Sequence, residues 1–141
     1  MRLQVTEVEV WTANIEDREG GLAEKLAPLA AAGASLEFVI ARRASEQTGK
    51  GVVFVTPLKG EDQVKAATQA GFLHSGRLHS LRIEGPDQTG LGAMITKALA
   101  SDGINLRGYS AAAIGKKFVC YLALDTAEDA DKAVRAVKNL S

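Results

Sequence analysis

The sequence predicts an α+β protein made of two copies of one small unit, and three observations carry that prediction. The first is self-similarity. Asp17-Arg18-Glu19-Gly20-Gly21-Leu22, an apolar helical stretch and Gly33-Ala34-Ser35-Leu36 return as Asp87-Gln88-Thr89-Gly90-Leu91, another such stretch and Gly103-Ile104-Asn105-Leu106. Asp17 to Asp87, Gly33 to Gly103 and Leu36 to Leu106 are each separated by 70 positions. A fixed offset with matching flanks marks a duplicated module. The second observation is that both copies follow the same order of strands and helices. The third is composition: 46% apolar and 24% charged residues, with acids and bases balanced at 17 each, describe an ordinary globular chain of 141 residues.

Alternation of Val8, Val10 and Thr12 with Glu7, Glu9 and Trp11 reads as a half-buried strand that ends in the polar loop from Asn14 to Gly20. Leu3 and Val5 are out of phase with it, which implies a bulge or an earlier start. Leu22, Leu26 and Leu29 recur at helical spacing, and Gly33 is placed to end that helix in a left-handed cap. Pro28 removes the bond to the Glu24 carbonyl at a cost of about 3 kcal/mol, so a kink or a short first helix is expected. Leu36, Phe38 and Ile40 alternate as a second strand. A turn at 45–49 leads to Val52-Val53-Phe54-Val55 and Pro57, and a second helix runs from about Glu61 to Ala70. The run 71–76 is a brief edge strand or a connector.

The second copy repeats the order. Leu81 and Ile83 alternate with Arg82 and Glu84; Leu91, Ile95 and Leu99 stripe a helix. Leu106 opens a strand containing Gly108 and Tyr109, Phe118 to Leu124 forms the next, and Ala130, Val134 and Val137 mark the last helix. No fourth strand is left for this copy. Its sheet lacks an edge, borrows one from 72–77, or pairs with another chain, because an uncovered edge invites association. The element order permits a right-handed crossover with both helices on one face of an antiparallel sheet, a ferredoxin-like sandwich in units 1–76 and 77–141.

The repeated turn is where ligand chemistry is expected. Asp87 or Thr89 is suited to cap the following helix, and Gly90 lets the backbone approach a neighbour closely. The first free N–H groups of the helix then point into the loop and attract a carboxylate. Asp17 or Asp87 is placed to meet an ammonium group, so the loop suits a zwitterion such as an amino acid. The alternative is that these are good strand-to-helix turns and nothing more.

This pattern of a strand, Asp-x-x-Gly-Leu or Asp-x-x-Gly-Gly-Leu, a Leu-rich helix, Gly-x-x-Leu or Gly-Ile-Asn-Leu and a strand hairpin resembles the ACT domain. Here it occurs in tandem and covers nearly the whole chain. The resemblance implies a βαββαβ fold, pairing of modules and regulatory binding of small ligands, most often amino acids, near the first loop and helix start. Carried over by position, the implied contacts are Asn14, Ile15, Glu16, Asp17, Gly20, Gly21 and Leu22, then Asp87, Gln88, Thr89, Gly90 and Leu91. Neither loop has the Pro that the family often places before its Gly, and no attached catalytic domain fits in this chain.

Other chemistries find little support. His74, His79 and Cys120 lack metal-ligand spacing, and Ser75, Ser80 and Ser110 lack a nucleophile elbow. Gly85 to Gly92 holds glycines without the Lys-Ser/Thr of a phosphate loop. Tyr109, Tyr121, Phe38 and Phe54 fall in strands but have no basic neighbours, so nucleic acid is not an expected partner. Trp11 sits beside the first loop or fills a dimer contact. Neither a signal peptide nor a membrane span is read. The expectation is a cytoplasmic, homodimeric sensor, not an enzyme, with neither cofactor nor metal, that binds an amino acid or similar molecule and acts on a regulated enzyme. The competing class is a structural protein–protein interaction module.

Overall fold

A computed structural model describes residues 2–74 and 79–140. In chain order the elements are β1 (Gln4–Val8), β2 (Trp11–Glu16), α1 (Gly21–Ala31), β3 (Phe38–Arg43), β4 (Lys50–Thr56), α2 (Gly60–Gln69), β5 (Leu73–His74), β6 (His79–Pro86), α3 (Leu91–Ser101), β7 (Leu106–Ile114), β8 (Lys117–Leu124) and α4 (Ala127–Lys138). The strands form two four-stranded sheets, ordered β3-β4-β2-β5 and β1-β6-β8-β7. Every neighbouring pair is antiparallel. Each sheet with its two helices is an α+β, ferredoxin-like unit. The stretch 75–77 of the expected connector, Ser75 included, lies outside the described residues.

The chain divides into Glu9–Ser75 and a unit combining Met1–Val8 with Gly76–Ser141. The expected contiguous units 1–76 and 77–141 are therefore corrected at the N-terminus. Where a bulge or an earlier start of one strand was expected, there are two strands serving two sheets. β1 pairs with β6, from Gln4 opposite Glu84 to Val8 opposite Ser80, and fills the place of a strand following α4. The unit of the second half does not lack its last strand, and the described strand residues of 72–77, Leu73 and His74, pair with β2 in the other sheet. The change of sheet falls between Val8, the last residue of β1, and Trp11, the first of β2; Leu3, 7% exposed, belongs to the cluster of Leu81, Ile83, Ile95 and Leu122. Gly85 makes room for it, because a Cβ there would lie 2.7 Å from both the Arg2 carbonyl oxygen and Leu3 Cδ2.

In the unit Glu9–Ser75, α1 and α2 cover a core of Ala13, Leu29, Val53, Val55, Ala67 and Phe72. Helix α1 does not end early at Pro28; it continues to Ala31. Leu29 just beyond the proline is fully buried, and its carbonyl accepts from the Ala34 N–H at 3.0 Å, so packing and capping together offset the lost bond. Gly33, at φ 85°, supplies the expected left-handed cap. Helix α2 closes the same way: Gly71 sits at φ 96°, and the Phe72 N–H donates to the Ala67 carbonyl at 2.9 Å. That cap holds Phe72 back from the sheet, and β5 begins at Leu73. The link after β1 is tied down where Thr56 Oγ1 donates to the Glu9 carbonyl at 2.6 Å.

Candidate binding clefts at the first loop

Both repeated turns start their helices from a left-handed glycine. Gly20 has φ 82° and ψ −6°, Gly90 φ 80° and ψ 8°, and neither helix receives a side-chain cap. The expectation that Asp87 or Thr89 caps the helix is thus corrected. Instead the N–H of Asp17 donates to the Gly49 carbonyl at 3.0 Å, and that of Asp87 to the Lys116 carbonyl at 2.7 Å, which pins each turn to the neighbouring hairpin. At the helix starts Gly21 N–H donates to the Arg18 carbonyl and Leu91 N–H to that of Gln88, while Glu24 and Met94 N–H reach Gly20 and Gly90. The N–H groups of Leu22 and Ala23, and of Gly92 and Ala93, have no acceptor among the described residues. These are the orphan donors that a helix start leaves.

The next residue separates the two turns. Leu91 is 1% exposed and belongs to its unit's core. At the corresponding step Gly21 packs its Cα against β2, so tightly that a Cβ would stand 2.1 Å from the Glu16 carbonyl oxygen. The absent side chain helps leave a cleft of about 300 Å³, lined by Asn14, Ile15, Glu16 and Gly21 together with Glu24, Lys25, Pro28, Lys50 and Ala70. Its position follows from the sheet. β5 pairs only with Trp11 and Thr12, so β2 runs on from Ala13 to Glu16 with no strand on that side among the described residues.

A second cleft of about 230 Å³ lies on the hairpin side of the same loop. Ile15, Glu16, Asp17 and Leu22 line it, with Arg18, Arg42 and Arg43 around an apolar floor that includes Ala41 and Gly51. Gly51 permits close strand packing here, since a Cβ would lie 2.8 Å from the Arg42 carbonyl oxygen. Six of the twelve residues expected at a ligand site thus line one or both clefts. Gly20 is the exposed helix cap beside them. Asp87, Gln88, Thr89 and Gly90 are exposed on the other unit's turn, Leu91 is buried, and none of the five lines either cleft.

The carboxylates at these clefts are already engaged. Glu16 pairs with Lys50 and Glu24 with Arg18, while Asp17 Oδ2 meets Arg43 Nε at 3.0 Å. The Lys50 hydrogen bond and charge hold the Glu16 carboxyl below its ordinary pKa, with weaker pulls from Arg18 and Lys25 against the opposing cost of burial. Lys25, half-buried on α1, donates to the Ala70 carbonyl at 2.8 Å, and among the described residues no carboxylate lies within ion-pair distance of it.

Sequence reasoning missed the cations and Ala70. Lys25 carried a readable signal, four residues after Gly21 and so on the same face of α1. Lys50 and Ala70 arrive through strand pairing and the end of α2, which local sequence does not specify. Trp11 packs on the core of its unit, its ring centroid 5.3 Å from that of His74. The single cysteine, Cys120, is fully buried, and burial pushes its thiol up to about 12. Among the described residues no group of His, Cys, Asp and Glu is arranged to hold a metal ion.

No protein-family model matches the sequence, and neither does any curated protein. Solved structures do match its fold. Protein BT0572 from Bacteroides thetaiotaomicron superposes with a TM-score of 0.79 at 14% identity, over 96% of this chain and 90% of that one. The ligand-free regulatory subunit of aspartate kinase from Thermus thermophilus gives 0.67 at 18% identity, over 97% and 95%. The corresponding subunit from Thermus flavus gives 0.59 at 20% identity, over 98% and 94%. At such identities the likeness is one of fold.

Proposed function

We propose that this chain, which shares the fold of aspartate kinase regulatory subunits and the tandem ACT-type architecture its turns resemble, is a regulatory protein that binds an amino acid or a close relative and acts on a partner enzyme. The observation that carries the reading is the cleft between β2 and α1: an opening of about 300 Å³ beside a helix start with unused N–H groups, at the loop where the family places its ligands. Occupancy there transmits information only if the ligand prefers one arrangement of the protein over another. The reading includes a homodimer, in which pairing supplies the second arrangement.

The test is a thermal-shift screen of the intact chain with the twenty amino acids. A ligand at 100 times its dissociation constant adds about 2.7 kcal/mol of stability, and at least one amino acid is expected to raise the melting temperature. Gly21→Ala should remove that response with helix content retained, because its methyl forces Glu16 and α1 apart at the cleft. No response to any amino acid, or an equal response in the variant, defeats the proposal.

One observation favours a second reading, an interaction module. Strand β7 is a nine-residue sheet edge on which Tyr109 and Ile114 are 39% and 77% exposed, a surface fitted to pair with another strand.

A further inference from the structure

The chain as a whole has no net charge, yet the two clefts at the first loop, taken together, do not share that balance. Five cationic side chains, Arg18, Lys25, Arg42, Arg43 and Lys50, line them against three carboxylates, Glu16, Asp17 and Glu24. Each carboxylate is spent within the protein: Lys50 holds Glu16, Arg43 holds Asp17 and Arg18 holds Glu24. Lys25 is left over in the cleft between β2 and α1, and Arg42 in the cleft on the hairpin side. The Lys25 ammonium donates to the neutral Ala70 carbonyl, its charge acts only weakly on Glu16, which Lys50 already holds, and Arg42 has no acceptor among the described residues. Beside Lys25, the start of α1 adds the unused N–H groups of Leu22 and Ala23 and the positive end of the helix.

We infer that the cleft between β2 and α1 selects a small ligand of net negative charge, an acidic amino acid or a dicarboxylate, with one carboxylate against Lys25. This rests on the reading of that cleft as the ligand site and specifies what enters it. A neutral amino acid brings a carboxylate and an ammonium of equal charge; the first finds Lys25, but the second finds every carboxylate already paired and must break an ion pair or stay in water. An additional carboxylate instead meets the unused N–H groups of Leu22 and Ala23 and the positive end of α1. A basic amino acid brings a second cation beside Lys25, with no free carboxylate to receive it, and is rejected, as like charges at an interface exclude wrong partners.

Titration calorimetry on the intact chain at neutral pH and low salt, with L-glutamate, glutarate, L-glutamine and L-lysine, tests this. Glutamate and glutamine have nearly the same shape, so their ratio reads charge. Glutamate and glutarate are expected to bind at least about tenfold more tightly than glutamine, with lysine weakest. Lys25→Gln should bring the ratio of glutamate to glutamine close to one. Lys25→Arg, which keeps the charge, should retain the preference, and so should Lys65→Gln, on the exposed face of α2 and outside both clefts. Glutamine or lysine binding as tightly as glutamate overturns the charge inference while leaving an amino-acid site in place. Glutarate binding without either glutamate or glutamine keeps the charge inference and removes the amino-acid reading. Failure of all four at millimolar concentration, or a preference unchanged in Lys25→Gln, overturns the inference.

Discussion

Glu84 shows what a charged residue costs and contributes on a sheet face of this protein. Its carboxylate meets Lys117 Nζ at 2.7 Å and Arg82 Nε at 3.0 Å. The Lys117 hydrogen bond is the largest influence; burial opposes it, Arg82 adds to it, and the carboxyl is held below its ordinary value of 4.5. A carboxyl whose pKa is lower folded than unfolded contributes stability that is complete above the unfolded value and is lost as pH falls through the folded one. The melting temperature should therefore decline as pH drops below about 4.5, and Glu84→Gln should show a shallower decline while melting lower at pH 7. Calorimetric scans from pH 7 to pH 3 decide it, and parallel curves for the two proteins would remove Glu84 from the account. Glu16 shifts in the same direction, but water screens its pair with Lys50, so its share is small.

Individual elements were legible in proportion to how local their causes are. The glycine caps at Gly33 and Gly103 follow from chain chemistry within one turn and lie at φ 85° and 73°. Pro28 misled because propensity was weighed without the burial of Leu29, which only the assembled core supplies. The loop at 14–22 was readable as a candidate site from its glycines, whereas Lys50 and Ala70 reach it through long-range pairing. β7 was legible as a strand but not as an open edge. Its neighbour β8 covers one side only, and its single charge, Arg107, is occupied by Asp125 at 3.1 Å. The edge strand β3, by contrast, ends in Arg42 and Arg43, the kind of charge that discourages pairing. If β7 joins two copies of the chain, Ala112→Lys should turn a dimer into a monomer in sedimentation experiments without lowering helix content. A monomeric parent protein would dispose of this role for the strand.

At the scale of the whole molecule, the decisive fact is that sequence order and unit order disagree. The duplication is visible in the text of the chain, but the strand completing the second copy is written before the first copy begins. Nothing in 77–141 announces that its missing strand is Gln4–Val8; the signals were indirect, a phase change at Val8 and a strand glycine at Gly85. Energetically the segment matters, since burying Leu3 and part of Val5 contributes roughly 3 kcal/mol. A unit of this size has little stability to spare. The fragment 77–141 alone should therefore fail to fold cooperatively, with its β6 edge uncovered. Joining residues 2–8 through a short flexible linker after Ser141 should restore folding, because β1 lies antiparallel to β6, the direction a strand following α4 would take in this fold. Urea unfolding followed by circular dichroism reads both fragments: a sigmoidal transition in the permuted one and none in the truncated one is expected. Equal cooperativity in the two would mean that the N-terminal strand is an accessory to this unit and that its core is sufficient without Leu3.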